Sequence, residues 1–454
     1  MKLFGTDGLR GRSGEFPLDR ESLRKVGREV GASVLGEGGR RAVLGGDTRE
    51  STPAMAGELA AGLTEAGCSV AFAGIVPTPA VAELVLALDV GAGISVSASH
   101  NPYEDNGVKV FGSDGRKWPD EKEEALEQKL LAGRHPHPGP LPGGEGERGT
   151  GAAPPPPVDP TLAETYLSRL LSRLPARFPD LPALVDAGNG AAYRLGPEAL
   201  SRAGCRVTSM ADRPDGRNIN AGCGALHPEA MARETRATGA ALGVALDGDA
   251  DRAIFADETG RLLDGDDVLW IVALRWKAEG RLSEGGVVGT VMSNFGLEAA
   301  LAHEGIAFHR AAVGDRSVAR LMEETGSILG GETSGHILFA PLSPAGDGIQ
   351  TALVVAGVLS ATGKPLSRLA TLEKSPQALR NVRVTRREPI EKAPELFRAI
   401  ARAKATLDGR GRVFLRYSGT EPLLRILVEG TDEREVREIA EQLEEAARTA
   451  LAAP

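Results

Sequence analysis

From residue 42 onward, short apolar runs alternate with helical patterns in a way that leaves few folds open. AVLGG, STPAMAGELAAGLTEAG, SVAFAG, PAVAELVLAL and GISVSAS read as strand, helix, strand, helix, strand. That order is the signature of a parallel sheet covered by helices. The same grammar returns at ALVDAGNG, GPEALSRAG, CRVTSM, HPEAMARETRATG and ALGVALDGD, and a third time at GVVGTVMSN, LEAALAHEG, IAFHRAAVG, RSVARLMEETG and SILGGETSGH. The first of these helices opens with Ser51 and Thr52 ahead of Pro53, residue types suited to a cap and a first turn. From about Asn381 the pattern changes to alternating strands, one helix, and a final charged amphipathic helix, EREVREIAEQLEEAARTALA. The chain is therefore expected to hold three α/β units of comparable plan and a smaller α+β unit.

A length of 454 residues fits that count of domains. Between the first and second units lies a stretch rich in Pro and Gly, residues 134–160, whose composition cannot support a packed core and predicts a surface linker. Its His135 and His137 are expected to be solvated loop residues. The net charge of -9 works against nucleic acid or anionic lipid as a partner, so any anionic ligand needs a local site. The longest apolar run, residues 352–359, is far shorter than the roughly 20 residues of a membrane helix. Cys68, Cys205 and Cys223 have no C-x-x-C spacing, which argues against a disulfide framework or structural zinc and for a reducing cytoplasm.

Three polar stretches interrupt this pattern. In DGDADR, residues 247–252, Asp247, Asp249 and Asp251 follow an apolar strand, and carboxylates so crowded repel unless a cation holds them. Oxygen ligands in that number suit Mg²⁺ or Ca²⁺. The spacing mimics an EF-hand loop, but Arg252 stands where that loop needs glycine and the flanks read as strands; a solvated acidic turn is the plain alternative. RYSGTEPLLR, residues 416–425, sets the Arg416 and Arg425 forks around Ser418, Gly419 and Thr420, a donor set suited to a phosphate monoester. The plain alternative is a strand-turn-strand with surface arginines. GGETSGH, residues 330–336, presents Glu332, Ser334 and His336 on a glycine-flanked loop able to grip sugar hydroxyls, although a polar turn of this composition is also common without a ligand. Neither a dinucleotide fingerprint at Gly188 nor a Walker loop at Lys364 is complete.

The stretch SASHNP, residues 97–102, ends an apolar strand with Ser99. A hydrolase serine wants a G-x-S-x-G elbow, and Ser99 has Ala98 and His100 as neighbours. A serine close to a divalent-cation site and a phosphate turn points instead to phosphoryl transfer with the serine as carrier.

Taken in order, FGTDGLRG, SASHNP, DGDADR, GGETSGH and RYSGTEPLLR resemble the arginine, phosphoserine, metal, sugar and phosphate loops of the α-D-phosphohexomutases, across nearly the whole chain. NINAGCGALHPE, VGDRSV and AGDGI resemble the bacterial branch that interconverts the 6- and 1-phosphates of glucosamine for UDP-N-acetylglucosamine and cell-wall precursors. Activity on mannose or glucose phosphates is the alternative within the family, and a phosphoserine-dependent sugar phosphatase the alternative outside it. Tyr417 stands where the family's phosphate loop has proline, and Thr333 where the nearest branch has glutamine.

The resemblance implies an α/β fold of three similar mixed-sheet α/β/α domains followed by a smaller α+β C-terminal domain, arranged around a central cleft. Its boundaries would be 1–155 with the phosphoserine loop, 160–258 with the metal loop, 259–376 with the sugar loop and 377–454 with the phosphate loop. It implies a phosphorylated Ser99 that completes, with Asp247, Asp249 and Asp251, the shell of one Mg²⁺ per active site. Arg10, His100, Lys109 and Arg252 would steady the transferring group, with His100 or Lys109 moving protons. Glu332, Ser334 and His336 would hold the sugar, and Arg416, Ser418, Gly419, Thr420 and Arg425 its phosphate. A hexosamine 1,6-bisphosphate would serve as activator and intermediate. The expected partner is a small phosphosugar, with no nucleic acid and no membrane, in a cytoplasmic enzyme whose relatives are often homodimers.

Overall fold

The computed structural model describes residues 3–5, 7–132, 153–340, 342–385, 387–418 and 422–451. The first sheet comprises β1 (Phe4–Gly5), β2 (Gly8–Arg12), β3 (Arg41–Gly46), β4 (Ser69–Ile75), β5 (Ala92–Val96) and β6 (Asp105–Gly112), in the order β1-β2-β6-β5-β3-β4. The second holds β7 (Pro182–Asp186), β8 (Arg206–Met210), β9 (Leu242–Leu246), β10 (Ala253–Ala256) and β11 (Leu262–Leu263), in the order β11-β10-β9-β7-β8. In the third, β12 (Val287–Thr290), β13 (Phe308–Ala311), β14 (Leu329–Gly331) and β15 (Ile337–Phe339) run β13-β12-β14-β15.

One plan underlies all three. Counting from β3, β7 and β12, the first strand lies between the second and the third, all parallel, and a fourth strand returns antiparallel beside the third; the first sheet adds β1 and β2 beyond its fourth strand. The parallel trio follows from the strand-helix-strand grammar. The antiparallel return is the part the sequence pattern does not display. The loop between third and fourth strands occupies the same place each time, and those three loops carry SASHNP, DGDADR and GGETSGH.

The helix at Thr52–Glu65 starts where the sequence places it, but Ser51 makes no side-chain cap bond. Its Oγ instead accepts a hydrogen bond from Asn106 Nδ2 at 2.9 Å, so tertiary pairing takes the oxygen the cap would use. The second sheet runs past residue 258, because β11 pairs back on β10. His135 and His137 lie outside the described residues. Where the chain is described again it returns to the first unit, with Val158 bridging Phe72 of β4 and Asp159 N donating to Phe72 O at 2.8 Å.

The fourth unit pairs β16 (Gln377–Arg383), β17 (Gly411–Tyr417) and β18 (Leu423–Gly430) in a three-stranded antiparallel sheet of order β16-β18-β17. Helices at Pro394–Leu407 and Glu433–Leu451 cover it. No helix among the described residues is long and apolar enough to cross a membrane.

Candidate active site

The three equivalent loops meet. Ser99 has φ of 53°, a left-handed conformation that costs a residue with a Cβ about 1–2 kcal/mol. Such strain persists only where surroundings enforce it. The side chain is fully buried, and Oγ donates to Asp247 Oδ2 at 2.6 Å. His100 Nδ1 lies 3.4 Å from Oγ, at the long limit of a hydrogen bond.

Asp247, Asp249 and Asp251 each offer an oxygen within 4.8 Å of the others, all three side chains being buried. Asp249 Oδ1 and Asp251 Oδ1 have no hydrogen-bond partner among the described residues. Buried carboxylate oxygens left unserved and converging in this way fit a hard divalent cation. Burial, with Asp251 and Asp249 beside it, pushes Asp247 well above the usual carboxylate range. Burial works in the same direction on Asp251, but Lys109 first, then His336 and Arg252, hold it well below that range.

Lys109, on β6, is buried with its Nζ 2.8 Å from Asp249 Oδ2, 3.2 Å from Asp251 Oδ2 and 2.8 Å from Asp7 Oδ2. Burial alone would lower it, and the three carboxylates raise it well above an ordinary amine, so it is a fixed cation. Burial, then Arg252 and Arg10, lower His100, which leaves its ring neutral near pH 7. Arg10 reaches Asp7 at 2.5 Å and Asn101 Oδ1 at 3.4 Å. Arg252 approaches Asp251 at 3.7 Å.

The third unit's loop closes against this cluster. His336 Nδ1 is 3.8 Å from Asp251 Oδ2, and its Nε2 3.9 Å from Asp315 Oδ2. Glu332 Oε1 accepts from Gly314 N at 2.7 Å, and Ser334 Oγ donates to Glu332 Oε2 at 3.3 Å. Thr333 turns inward, its Oγ1 donating to Asp266 Oδ2 at 3.2 Å. Arg416 and Arg425 stand directly opposite each other across β17 and β18, hence on one face of the fourth sheet, next to the buried Ser418. Tyr417 OH donates to Glu388 O at 2.7 Å. Gly419 and Thr420 lie outside the described residues.

Several participants are not among the residues singled out above, although Asp7 lies within FGTDGLRG and Asp315 within VGDRSV. Asp7 and Asp315 both grip Lys117, which joins the first and third units. Thr78 Oγ1 donates to Asp249 Oδ2 at 2.7 Å, and Thr78 N to Asp249 O at 3.0 Å. For Asp47, Thr48 and Arg49 the hint is position: they follow β3 as DGDADR follows β9, polar residues at the carboxyl end of an apolar strand.

Comparison with known proteins agrees with this geometry. Models of phosphoglucomutase/phosphomannomutase match the chain unit by unit: alpha/beta/alpha domain I over residues 1–136, domain II over 164–260, domain III over 264–375 and the C-terminal domain over 379–446. A phosphoglucosamine mutase from Thermus thermophilus is 46% identical over 450 residues, 97% of each chain. Another from Symbiobacterium thermophilum is 44% identical over 453 residues, 99% of each. The crystal structure of a phosphoglucomutase/phosphomannomutase family protein from Burkholderia thailandensis superposes with a TM-score of 0.80 at 26% identity, covering 99% of this chain and 97% of that one. With all four domain models matched in order and relatives this similar over almost the full length, the chain belongs to the phosphoglucomutase/phosphomannomutase family of isomerases, the α-D-phosphohexomutases.

Proposed function

We propose that this chain interconverts glucosamine 6-phosphate and glucosamine 1-phosphate, with Ser99 carrying the phosphoryl group and a hexosamine 1,6-bisphosphate as intermediate and activator. The observation that carries the reading is Ser99 itself, strained, buried and held 2.6 Å from one of three converging aspartates. The substrate assignment is supported by relatives at 44–46% identity that bear the phosphoglucosamine mutase name.

Asp247, Asp249 and Asp251 would hold one Mg²⁺ together with Ser99, and the ion when bound would neutralise charge on the transferring oxygens. Around it, Lys109, Arg10 and Arg252 present fixed positive charge to the moving group. Lys109, raised by its three carboxylates, is poorly suited to taking protons. The neutral His100 ring can accept the proton of the attacking sugar hydroxyl. Glu332, Ser334 and His336 orient sugar hydroxyls, while Arg416, Arg425, Ser418, Gly419 and Thr420 bind the phosphate that is not reacting. After the first transfer the bisphosphate turns over, and its other phosphate returns to Ser99. Exclusion of water during that turn separates a mutase from a phosphatase. We assign the reaction to the cytoplasm, a reading supported by three cysteines buried as free thiols.

Phosphorus NMR tests the reading. Protein with Mg²⁺ and a trace of hexose bisphosphate is given glucosamine, glucose and mannose 6-phosphates in parallel. The glucosamine 1-phosphate signal is expected to grow fastest, and Ser99→Ala to abolish turnover with the fold retained. Faster conversion of glucose or mannose phosphate overturns the substrate assignment; an active Ser99→Ala overturns the phosphoserine route.

A further inference from the structure

The NINAGCG stretch, residues 218–224, lies in the second unit and belongs to none of the site loops. At its centre Asn220 is buried, with φ of 58°. Its Nδ2 donates to Ser99 O at 3.0 Å and lies 3.4 Å from Asn101 O. Its Oδ1 has no hydrogen-bond partner among the described residues. The amide is thus oriented by the two carbonyls it serves, since the flipped amide would set oxygen against oxygen.

A second donor grips the same carbonyls from the first unit. Arg49 is buried, and its Nη2 donates to Ser99 O at 3.1 Å and to Asn101 O at 2.5 Å. Arg49 Nη1 is paired with Asp47, whose Oδ2 also accepts from Ser97 Oγ at 2.6 Å. Ser97 Oγ in turn accepts from Ser99 N at 2.9 Å. The peptide groups on both sides of the reacting serine are therefore fixed, one carbonyl by donors from two units.

Left to itself, a strained left-handed serine relaxes by rotating its flanking peptide, and that rotation carries Oγ away from Asp247. Donors on the Ser99 carbonyl oppose the rotation. We propose that Asn220 is a positioning residue for the reacting serine, holding the Ser99 carbonyl from the second unit so that Oγ stays in register with the aspartate loop of that same unit. Arg49 holds the carbonyl from the first unit. The arrangement makes reactivity at Ser99 depend on a seam between the first and second units. This inference rests on the reading of Ser99 as phosphoryl carrier.

The test is steady-state kinetics of the full-length, Mg²⁺-loaded protein on glucosamine 6-phosphate, carrying Asn220→Gly, Asn220→Asp or Arg49→Lys. Each is read well below its own melting temperature, with the phosphoserine fraction measured by intact mass. Asn220→Gly keeps the left-handed backbone and removes the donor together with the rest of the side chain. It is expected to lower kcat roughly ten- to hundredfold, the scale of a small misplacement of a reacting group, with KM within about twofold. Asn220→Asp, the same shape with acceptors facing carbonyls, should be worse than Asn220→Gly. A role in packing alone predicts the reverse order. Arg49→Lys, which keeps the charge beside Asp47 but loses the fork, should also lose kcat at constant KM.

The inference is overturned if Asn220→Gly keeps kcat within about twofold of the unaltered protein, or if Asn220→Asp outperforms it. Should Asn220→Gly not fold, an Asn220→Asp protein with undiminished kcat overturns it equally. Ser99→Ala run alongside separates the two levels. If that variant turns over, the phosphoserine reading itself has failed; if it is dead while the Asn220 variants are fully active, only the positioning role has.

Discussion

Gly248 shows how little freedom Ser99 has. A Cβ at that position would lie 2.4 Å from Ser99 O and 2.8 Å from Asn220 Nδ2, both closer than contact permits. Gly248→Ala should therefore push the serine loop away from Asp247 and lower kcat at least tenfold while leaving the circular dichroism spectrum unchanged; an alanine variant of normal kcat would mean that the loop can yield. At this scale the sequence displays Ser99 and the aspartates because each sits in a short polar run against apolar strands. It does not display Thr78 or Arg49, and it shows Asn220 only as a member of the NINAGCG stretch, without the work that all three do on backbone carbonyls and carboxylates 50 to 171 positions away. Contacts of that span are made by folding and leave no local pattern. No pattern in the sequence indicates that Lys109 answers three carboxylates at once.

The apolar run at 352–359 lies inside a buried helix, Gly348–Thr362, whose first turn is capped by Asp347 accepting from Gln350 N at 3.0 Å. Asp347 also accepts from Tyr166 OH at 2.8 Å. Burial raises this carboxyl to about 6. Below pH of about 4 the group is protonated in both folded and unfolded chains. As pH rises toward 6 the unfolded carboxyl ionises first, so the fold loses stability, reaching a penalty of roughly 3 kcal/mol above that point. Asp347→Asn keeps a capping oxygen without the charge. It should melt a few degrees higher than the unaltered protein at pH 7.5, with the gap closing by about pH 4; a gap that persists in acid, or none at pH 7.5, would contradict the burial argument. Helix and parallel-strand positions follow from periodicity alone. The directions of β6, β10 and β15 do not, since an antiparallel return is decided by which edge the strand finds and not by its own residues.

Across the whole molecule, one hydrophobic cluster runs from Val43 to Leu372 and is shared by the first three units, whereas the fourth packs a core of its own. The fourth is fastened through Arg412, which pairs with Glu429 and donates to Val291 O at 2.8 Å and Ser293 O at 2.9 Å. Glu429 Oε1 accepts from Phe295 N at 3.3 Å. Arg412→Ala should loosen that fastening, splitting off an earlier calorimetric transition and raising KM for the phosphosugar with a smaller effect on kcat; a single unshifted transition would show that other contacts suffice. The number of units is legible from repeated grammar, but their shared core is not, because apolar faces look alike whichever neighbour they meet. The recurrence of one strand-loop-strand position in three units has an evolutionary reading. A scaffold that offers the same turn three times to a common space lets the three turns diverge as separate traits. Residues 332–336 can then change without requiring any matching change in the other two turns.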